Sequence, residues 1–393
     1  MFREQHSFNG KGEGTTPISR YMDTEKQLTE ESIQEIVDLL AQKERGIIVA
    51  GRMPPFIDKD LITQLSHRLG WPIFADILSN MRNSERTIPY FGHQEPSPDA
   101  IIHVGDRLIH KEPLEADVYI HVCGTEHCTD AHGAVTHRVT ISPDKFSKQL
   151  INHLPDSPNI DNFPIWKEES DKRHQLLDKH FARENALTEL SLFYRLGKIC
   201  NESTALFIGN SMPIRDANRL FFPKKCGPIF ANRGASGIDG NIASAIGLCR
   251  GLKMPLIAVL GDLTTLHDIN SLAMLKDEPI TFIIINNGGG GIFSFLPVAA
   301  NTELFDRYFA AKHSFTLEKM AAAFNIDYQQ IEDNDFNEMS LIINEKRPTL
   351  VEILSDRSEN VIAHQELEHA VFFERRKFAK SPTSLVTRLY GSR

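Results

Sequence analysis

The chain has 393 residues and a net charge of −9, an acidic balance that excludes broad affinity for nucleic acids, so we expect no nucleic-acid partner. Its longest apolar run falls far short of the roughly 20 residues that span a bilayer, and its first residues lack the apolar region of a secretory signal. Five scattered cysteines suit a reducing compartment, so we expect a cytoplasmic location and no membrane span.

The first part of the chain predicts a tail followed by an α/β domain. Residues 1–30 are polar and rich in glycine and threonine, which favours a tail or linker. Beyond them, short apolar runs alternate with helical patterns, and this alternation predicts a parallel sheet with helices on both faces. We assign residues 31–150 to this central domain. The runs are Gly46–Gly51, Ala100–Val104 and Val118–Cys123, and the helical patterns include Glu31–Gln42 and Lys59–Leu69.

The second part of the chain predicts another sheet of the same kind. Residues 151–185 are polar, contain three prolines and a charged run, and are predicted to connect two domains. Residues 186–393 form the second domain, so the predicted fold class is α/β with two parallel-sheet domains. Most of its apolar runs end in Gly, Asn or Asp, and ligands of such sheets lie at the carboxyl ends of strands. The runs are Ala205–Gly209, Pro228–Ala231, Leu256–Leu260, Thr281–Ile285 and Leu350–Leu354.

Two of these strand ends carry residues suited to a metal and a diphosphate. One strand runs into Gly261-Asp262-Leu263-Thr264, and the next runs into Asn286-Asn287 followed by four glycines. Carboxylate and amide oxygens are ligands that Mg²⁺ prefers, and glycines let the backbone approach a diphosphate. A helix after Thr264 would point its N-terminus at the anion. Alternatively, Gly-Asp ends a strand and Asn-Asn-Gly is a turn. The pair of motifs, 25 residues apart, resembles the fingerprint of thiamine-diphosphate enzymes.

Four sequence blocks in order narrow this resemblance to one family. They are Gly209-Asn-Ser-Met-Pro-Ile-Arg215, Asn232-Arg-Gly-Ala-Ser-Gly-Ile-Asp-Gly240, Gly261-Asp-Leu263, and Asn286-Asn-Gly-Gly-Gly-Gly-Ile-Phe-Ser-Phe-Leu-Pro297. Together they resemble the 2-succinyl-5-enolpyruvyl-6-hydroxy-3-cyclohexene-1-carboxylate (SEPHCHC) synthases. The resemblance implies a transferase of menaquinone biosynthesis that uses thiamine diphosphate and Mg²⁺ or Mn²⁺. Such an enzyme decarboxylates 2-oxoglutarate and adds the four-carbon unit to isochorismate.

The resemblance also implies roles for individual residues. Asp262, Asn287 and the Gly289 carbonyl would hold the metal. Arg215 and Arg233 would grip substrate carboxylates, with Lys111, in the segment Gly105–Lys111, as a further contact. Residues expected at the cofactor are Asn210, Ser211, Ser236, Leu263 and Thr264, with Ile238 as the apolar wedge that bends it. Residues expected to wall the pocket are Ile292, Phe293 and Leu296.

In the family, a glutamate beside the aminopyrimidine ring lies on an N-terminal pyrimidine-binding domain. The sequence Phe2-Arg3-Glu4 resembles the stretch that follows that domain, so we expect the domain to be missing from this chain. A separate chain would then supply it, or the chain is a truncated product. We also expect a homo-oligomer, a dimer or a tetramer.

Other interpretations stay open at this point. Another thiamine-diphosphate lyase, such as an acetolactate synthase or a benzoylformate-type decarboxylase, would share the metal motif, although two arginines favour a polycarboxylate substrate pair. A third alternative is a non-catalytic α/β scaffold, which would keep the fold without the enzymatic activity. In most proteins, residues such as Ile238, Ile292 and Phe293 are core fillers, and Arg215 and Arg233 would be surface arginines. A zinc site at Cys123 and Cys128 is less favoured than a strand with its following loop, because no second cysteine pair accompanies it.

Overall fold

The computed structural model describes residues 26–89, 97–110, 113–126, 130–158, 160–183, 187–331 and 347–372. These residues contain two six-stranded sheets, and every strand pair in both of them is parallel. The predicted fold class is therefore confirmed. None of the helices in these ranges is long and apolar enough to cross a membrane.

The first sheet has the strand order β3-β2-β1-β4-β5-β6. Helix α2 (Lys59–Leu69) is capped by Asp58, whose carboxylate accepts from the Asp60 N–H at 3.1 Å, and by Gly70 at its carboxyl end. Gly70 has φ 70°, and a Cβ there would overlap the Ile160 carbonyl oxygen, so only glycine fits. The elements are α1 (Glu30–Ala41), β1 (Gly46–Ala50), α2 (Lys59–Leu69), β2 (Ile73–Ala75), β3 (Thr87–Ile88), β4 (Ala100–Val104), β5 (Val118–Val122), β6 (His137–Val139) and α3 (Pro143–Ile151).

The second sheet has the order β11-β12-β10-β9-β7-β8. In the chain, α4 (Phe163–Arg183) lies between the strands of the first sheet and those of the second, and it occupies much of the segment predicted to connect the two domains. The remaining elements are α5 (Glu189–Ile199), β7 (Ala205–Ile208), α6 (Met212–Leu220), β8 (Ile229–Phe230), α7 (Asn241–Leu252), β9 (Leu256–Gly261), α8 (Asp262–His267), β10 (Ile280–Asn286), α9 (Thr302–Tyr308), α10 (Leu317–Ala323), β11 (Asp327–Gln330), β12 (Thr349–Leu354) and α11 (Arg357–Leu367).

Burial on both faces explains why the central strands of the second sheet are continuously apolar. In β10, all residues from Ile280 to Ile285 are buried. The register pairs Ile285 with Gly261 of β9, and Val259 of β9 with Ile208 of β7. Because these strands are parallel and in register, the residues that follow each of them lie side by side at one edge of the sheet.

The two domains contact each other next to this edge. Asn80, beyond the end of β2, accepts through Oδ1 from the Ile229 N–H of β8 at 2.8 Å. Asn218 of α6 accepts through Oδ1 from the Ile77 N–H at 2.8 Å and from Arg82 Nη2 at 2.7 Å. These bonds fix α6, and with it Arg215, against the first domain.

Candidate active site

The candidate site lies along the carboxyl ends of four neighbouring strands, in the order β8-β7-β9-β10. Asn232 follows β8, Asn210 follows β7, Asp262 follows β9 and Asn287 follows β10. The point between β7 and β9, where the chain changes direction across the sheet, is where ligands of open α/β sheets bind. The strand order therefore brings two of the four sequence blocks to the switch point and places the other two beside it, one on each side.

Asp262 joins the end of β9 to the glycine-rich loop. It is only 3% exposed, and its Oδ1 accepts from the Leu263 N–H at 2.6 Å. Its Oδ2 accepts from the Gly289 N–H at 2.8 Å and contacts His313 Nε2 at 3.0 Å. The fold thus brings two of the predicted metal ligands, Asp262 and Gly289, into direct contact.

The side-chain amide of Asn287 is held through its nitrogen. Its Nδ2 donates to Glu189 Oε1 at 3.1 Å. Its Oδ1 is buried and has no hydrogen-bond partner among the residues that the structure describes. A buried polar atom left in this state costs about 1–3 kcal/mol, so such an atom calls for a ligand.

The loop after Asn287 contains Gly289, whose backbone carbonyl is the third predicted metal ligand. Gly289 has φ 135°, and a Cβ there would overlap the Ala310 carbonyl oxygen. No three His, Cys, Asp or Glu side chains form a metal-binding group in the described parts of the chain. A cation here would rest on one carboxylate, one amide oxygen and one carbonyl, a hard-oxygen set that fits Mg²⁺ or Mn²⁺.

Asn210 organises the neighbouring part of the site. Its Nδ2 donates to the carbonyls of Asn232 at 2.8 Å and Gly237 at 2.7 Å. Its Oδ1 accepts from Arg233 Nη1 at 2.9 Å. One buried amide therefore holds together the end of β7, the loop after β8 and one of the two predicted substrate arginines.

The other predicted cofactor residues lie in three segments around Asn210. Ser211, with φ 75°, precedes α6, and Ser236 and Ile238 are half-buried in the loop between β8 and α7. Leu263 and Thr264 lie in the first turn of α8. This helix was expected after Thr264 and instead begins at Asp262, because the chain turns directly out of β9.

The two arginines make the site electropositive. Arg215 Nη1 donates to the Ser211 carbonyl. Burial lowers the pKa of Arg233, and the nearby positive charge of Arg215 lowers it further, while Asp76 opposes this effect. Burial also raises the pKa of Asp76, which accepts from the N–H groups of Leu78 at 2.9 Å and Ile109 at 2.6 Å. An anionic ligand beside Arg233 would relieve the crowding of like charges.

The residues predicted to wall the pocket lie together after the glycine-rich loop. Ile292 and Phe293 lie in a 3₁₀ turn, Gly291–Phe295, with Leu296 directly after it. Phe293 is 37% exposed, and its ring packs edge-on against Phe309 with centroids 5.9 Å apart. Lys111, the further predicted substrate contact, lies outside the described residues. Cys128, one of the two cysteines of the less favoured zinc site, also lies outside them.

Three residues next to the predicted metal ligands were not predicted from the sequence. Glu189 of α5 holds Asn287, and Ser355 after β12 donates to the same Glu189 oxygen at 3.0 Å. Burial raises the pKa of Glu189 to about 7, with a further rise from Asp216. His313 contacts Asp262 at 3.0 Å. No local pattern marks any of these residues, because each is defined by a partner more than 50 positions away.

Comparison with known families assigns both domains. Residues 15–208 match the middle domain of thiamine pyrophosphate enzymes, and residues 215–353 match their C-terminal thiamine pyrophosphate binding domain. A solved benzoylformate decarboxylase from Polynucleobacter necessarius superposes with a TM-score of 0.66, covering 86% of this chain and 67% of its own. At 10% identity, this likeness shows the fold alone.

Curated relatives narrow the assignment. The SEPHCHC synthases of Chlorobaculum tepidum, Rubrobacter xylanophilus and Bacillus cytotoxicus are 34%, 31% and 32% identical to this chain. The alignments cover 90%, 90% and 91% of this chain, and it spans 63%, 65% and 64% of the relatives' lengths. The chain therefore belongs to the thiamine pyrophosphate enzymes, and over most of its length it is similar to the SEPHCHC synthases.

Proposed function

We propose that this chain forms the metal- and diphosphate-binding part of an enzyme that decarboxylates 2-oxoglutarate. The enzyme adds the remaining four-carbon unit to isochorismate, as the relatives' name and the sequence resemblance imply. Its cofactors are thiamine diphosphate, also called thiamine pyrophosphate, and Mg²⁺ or Mn²⁺. Bound thiamine diphosphate supplies the electron sink for decarboxylation.

The observation that carries this proposal is the buried Oδ1 of Asn287, which has no hydrogen-bond partner in the described part of the chain. It lies in the loop that Asp262 binds through the Gly289 N–H. These residues would hold the metal, and the metal would hold the diphosphate oxygens. Leu263 and Thr264 in the first turn of α8 would lie along the diphosphate. Metal and diphosphate would therefore bind cooperatively.

Substrate recognition is proposed to lie at the neighbouring strand ends. Arg233, fixed by Asn210 at 2.9 Å, and Arg215 would each bind a carboxylate through the planar guanidinium fork. Two arginines suit a pair of substrates that together carry several carboxylates. Ile238 would press on the cofactor, and Ile292, Phe293 and Leu296 would form the apolar wall. Lys111 is a further proposed substrate contact.

We propose that the aminopyrimidine side of the cofactor lies against a pyrimidine-binding domain. That domain would carry the glutamate that exchanges a proton with the ring. In the oligomer that we propose, that domain would complete the site. The partly exposed Phe293 beside the glycine-rich loop is consistent with a face that another domain covers.

Thermal unfolding tests the metal and diphosphate assignment. At about 100 times Kd, thiamine diphosphate with Mg²⁺ should stabilise the chain by about 2.7 kcal/mol. Asp262→Ala should abolish this gain, because the carboxylate ligand is lost. Asp277→Ala, an exposed aspartate just before the amino end of β10, is the matched control and should retain it. Full ligand stabilisation of Asp262→Ala would show that the metal assignment is wrong.

A further inference from the structure

A buried carboxylate without a role in the proposed function lies directly behind Asn287. Glu189 is 1% exposed and occupies the first position of α5, whose start is fixed by a reciprocal cap between Thr188 and Ser191. Its Oε1 accepts from Asn287 Nδ2 at 3.1 Å and from Ser355 Oγ at 3.0 Å. Glu189 is thus held on a rigid element and aimed at one side of the Asn287 amide.

We infer that Glu189 is a positioning residue that fixes the orientation of the Asn287 amide so that Oδ1 faces the metal. The inference rests on the proposed function, since it takes Asn287 as a metal ligand. An amide group has a donor side and an acceptor side of nearly equal size, so packing alone selects poorly between its two orientations. An oxygen at Glu189 Oε1 accepts only from the nitrogen side and therefore selects one of them.

The reversed orientation is disfavoured at both ends of the amide. It would place Asn287 Oδ1 against Glu189 Oε1, two acceptors without a proton between them, and would turn the NH₂ group toward the cation. Because Oε1 needs only to accept, the selection does not depend on whether the other carboxyl oxygen carries a proton. Ser355 donates to the same oxygen and keeps it in place.

The neighbouring asparagine provides an internal comparison. Asn286 Nδ2 donates to Glu352 Oε1 at 2.6 Å, which is the same kind of pairing. Its Oδ1, however, accepts from the Gly288 N–H at 3.1 Å. Within the described residues, Asn287 is therefore the member of the pair whose buried oxygen is left for a ligand. The two asparagine–glutamate pairs are alike in form, and one orders the loop while the other orients a ligand.

Binding of Mn²⁺, followed by electron paramagnetic resonance of the free ion with and without thiamine diphosphate, tests the inference. Loss of a group that orients a metal ligand typically weakens affinity about 10–100-fold, and we expect Glu189→Leu to do so. Glu189→Gln keeps an accepting oxygen and should stay within about threefold of wild type. Glu359→Leu is the matched control, because this exposed glutamate lies in the first turn of another helix, α11, and the variant should bind Mn²⁺ as wild type does.

Two results would overturn the inference: wild-type Mn²⁺ affinity in Glu189→Leu, or an equal loss in the Leu and Gln variants. Asp262→Ala distinguishes a failure of the Glu189 role from a failure of the metal site. If it also binds Mn²⁺ normally, the proposed metal site is wrong. If it alone loses Mn²⁺ binding, only the positioning role of Glu189 fails.

A second variant keeps the test decisive if Glu189→Leu does not fold. Asn287→Asp leaves Glu189 in place and faces it with another acceptor. It should lower the melting temperature of the metal-free protein, because two acceptors then face each other where the amide had donated. An unchanged melting temperature would contradict the inferred pairing.

Discussion

Arg233 offers the sharpest test of the substrate half of the site. Arg233→Ala removes the guanidinium that we expect to bind a substrate carboxylate. A lost bidentate pair of this kind should cost about 1.5–3 kcal/mol in transition-state stabilisation, which is roughly a 10- to 150-fold fall in kcat/KM. Binding of thiamine diphosphate should change far less, because the metal ligands after β9 and β10 are untouched.

The same substitution has a second, separable effect on folding. It leaves Asn210 Oδ1 without the donor that lies at 2.9 Å, and Asn210 is buried. An unsatisfied buried acceptor costs about 1–3 kcal/mol of unfolding free energy. Relief of the repulsion between Arg233 and Arg215, which lowers the pKa of Arg233, offsets part of this cost. The kinetic loss should therefore exceed any net loss of stability.

The assay is steady-state kinetics with 2-oxoglutarate and isochorismate, in enzyme reconstituted with a pyrimidine-binding domain. Arg215→Ala is the companion variant and should also weaken carboxylate handling more than cofactor binding. Arg250→Ala is the matched control, since this partly exposed arginine pairs with Glu278 at 2.6 Å, just before the amino end of β10. Unchanged kinetics in both site variants would remove the two arginines from the site.

Two further predictions concern acid stability and activity. His103 is buried, and its pKa is lowered to about 3 by burial and then by His121. In the unfolded chain the pKa of this histidine is about 6.5, so above that pH it is neutral in both states and does not affect stability. Below that pH the unfolded chain binds a proton that the folded protein does not, and the free energy of unfolding falls. Between pH 7.5 and 5.0, the free energy of unfolding measured with urea should fall by about 2 kcal/mol because of this histidine. The fall should be smaller by that amount in His103→Gln, and an identical fall in the variant would contradict the prediction. Separately, a protein made of residues 1–393 should release no CO₂ from 2-oxoglutarate unless a pyrimidine-binding domain is added. Robust turnover without that domain, free of host enzyme, would contradict the proposed need for it.

The fold was predictable where burial on both faces makes a strand continuously apolar. The predicted runs at Ala100–Val104 and Leu256–Leu260 match β4 and β9 to within one residue. By contrast, β11 (Asp327–Gln330) is a polar edge strand, and β3 has two residues. Such strands are defined by pairing with a neighbour that is distant in sequence, so no local pattern identifies them.

The same distinction separates the predicted and unpredicted parts of the site. Asp262 and Asn287 follow buried strands, and parallel pairing brings strand ends together, so their proximity follows from the sequence pattern. Glu189 lies 98 positions from Asn287 and looks like an ordinary acidic residue in the first turn of a helix. Its burial against an amide depends on how α5 packs, and a single sequence carries no sign of that packing.

The arrangement of strand ends implies that the two halves of the site can be separated by experiment. The metal-ligand candidates follow β9 and β10, while Asn210 and Arg233 follow β7 and β8. Neighbouring strands lie about 4.8 Å apart, so the ends of β8 and β10, three spacings apart, are on the order of 14 Å from each other. One small anion cannot contact both ends. Variants of Arg233 should therefore weaken substrate kinetics with little change in cofactor stabilisation, whereas Asp262→Ala should abolish that stabilisation. An Arg233 variant that lost both equally would show that the two ligand sets are not separate.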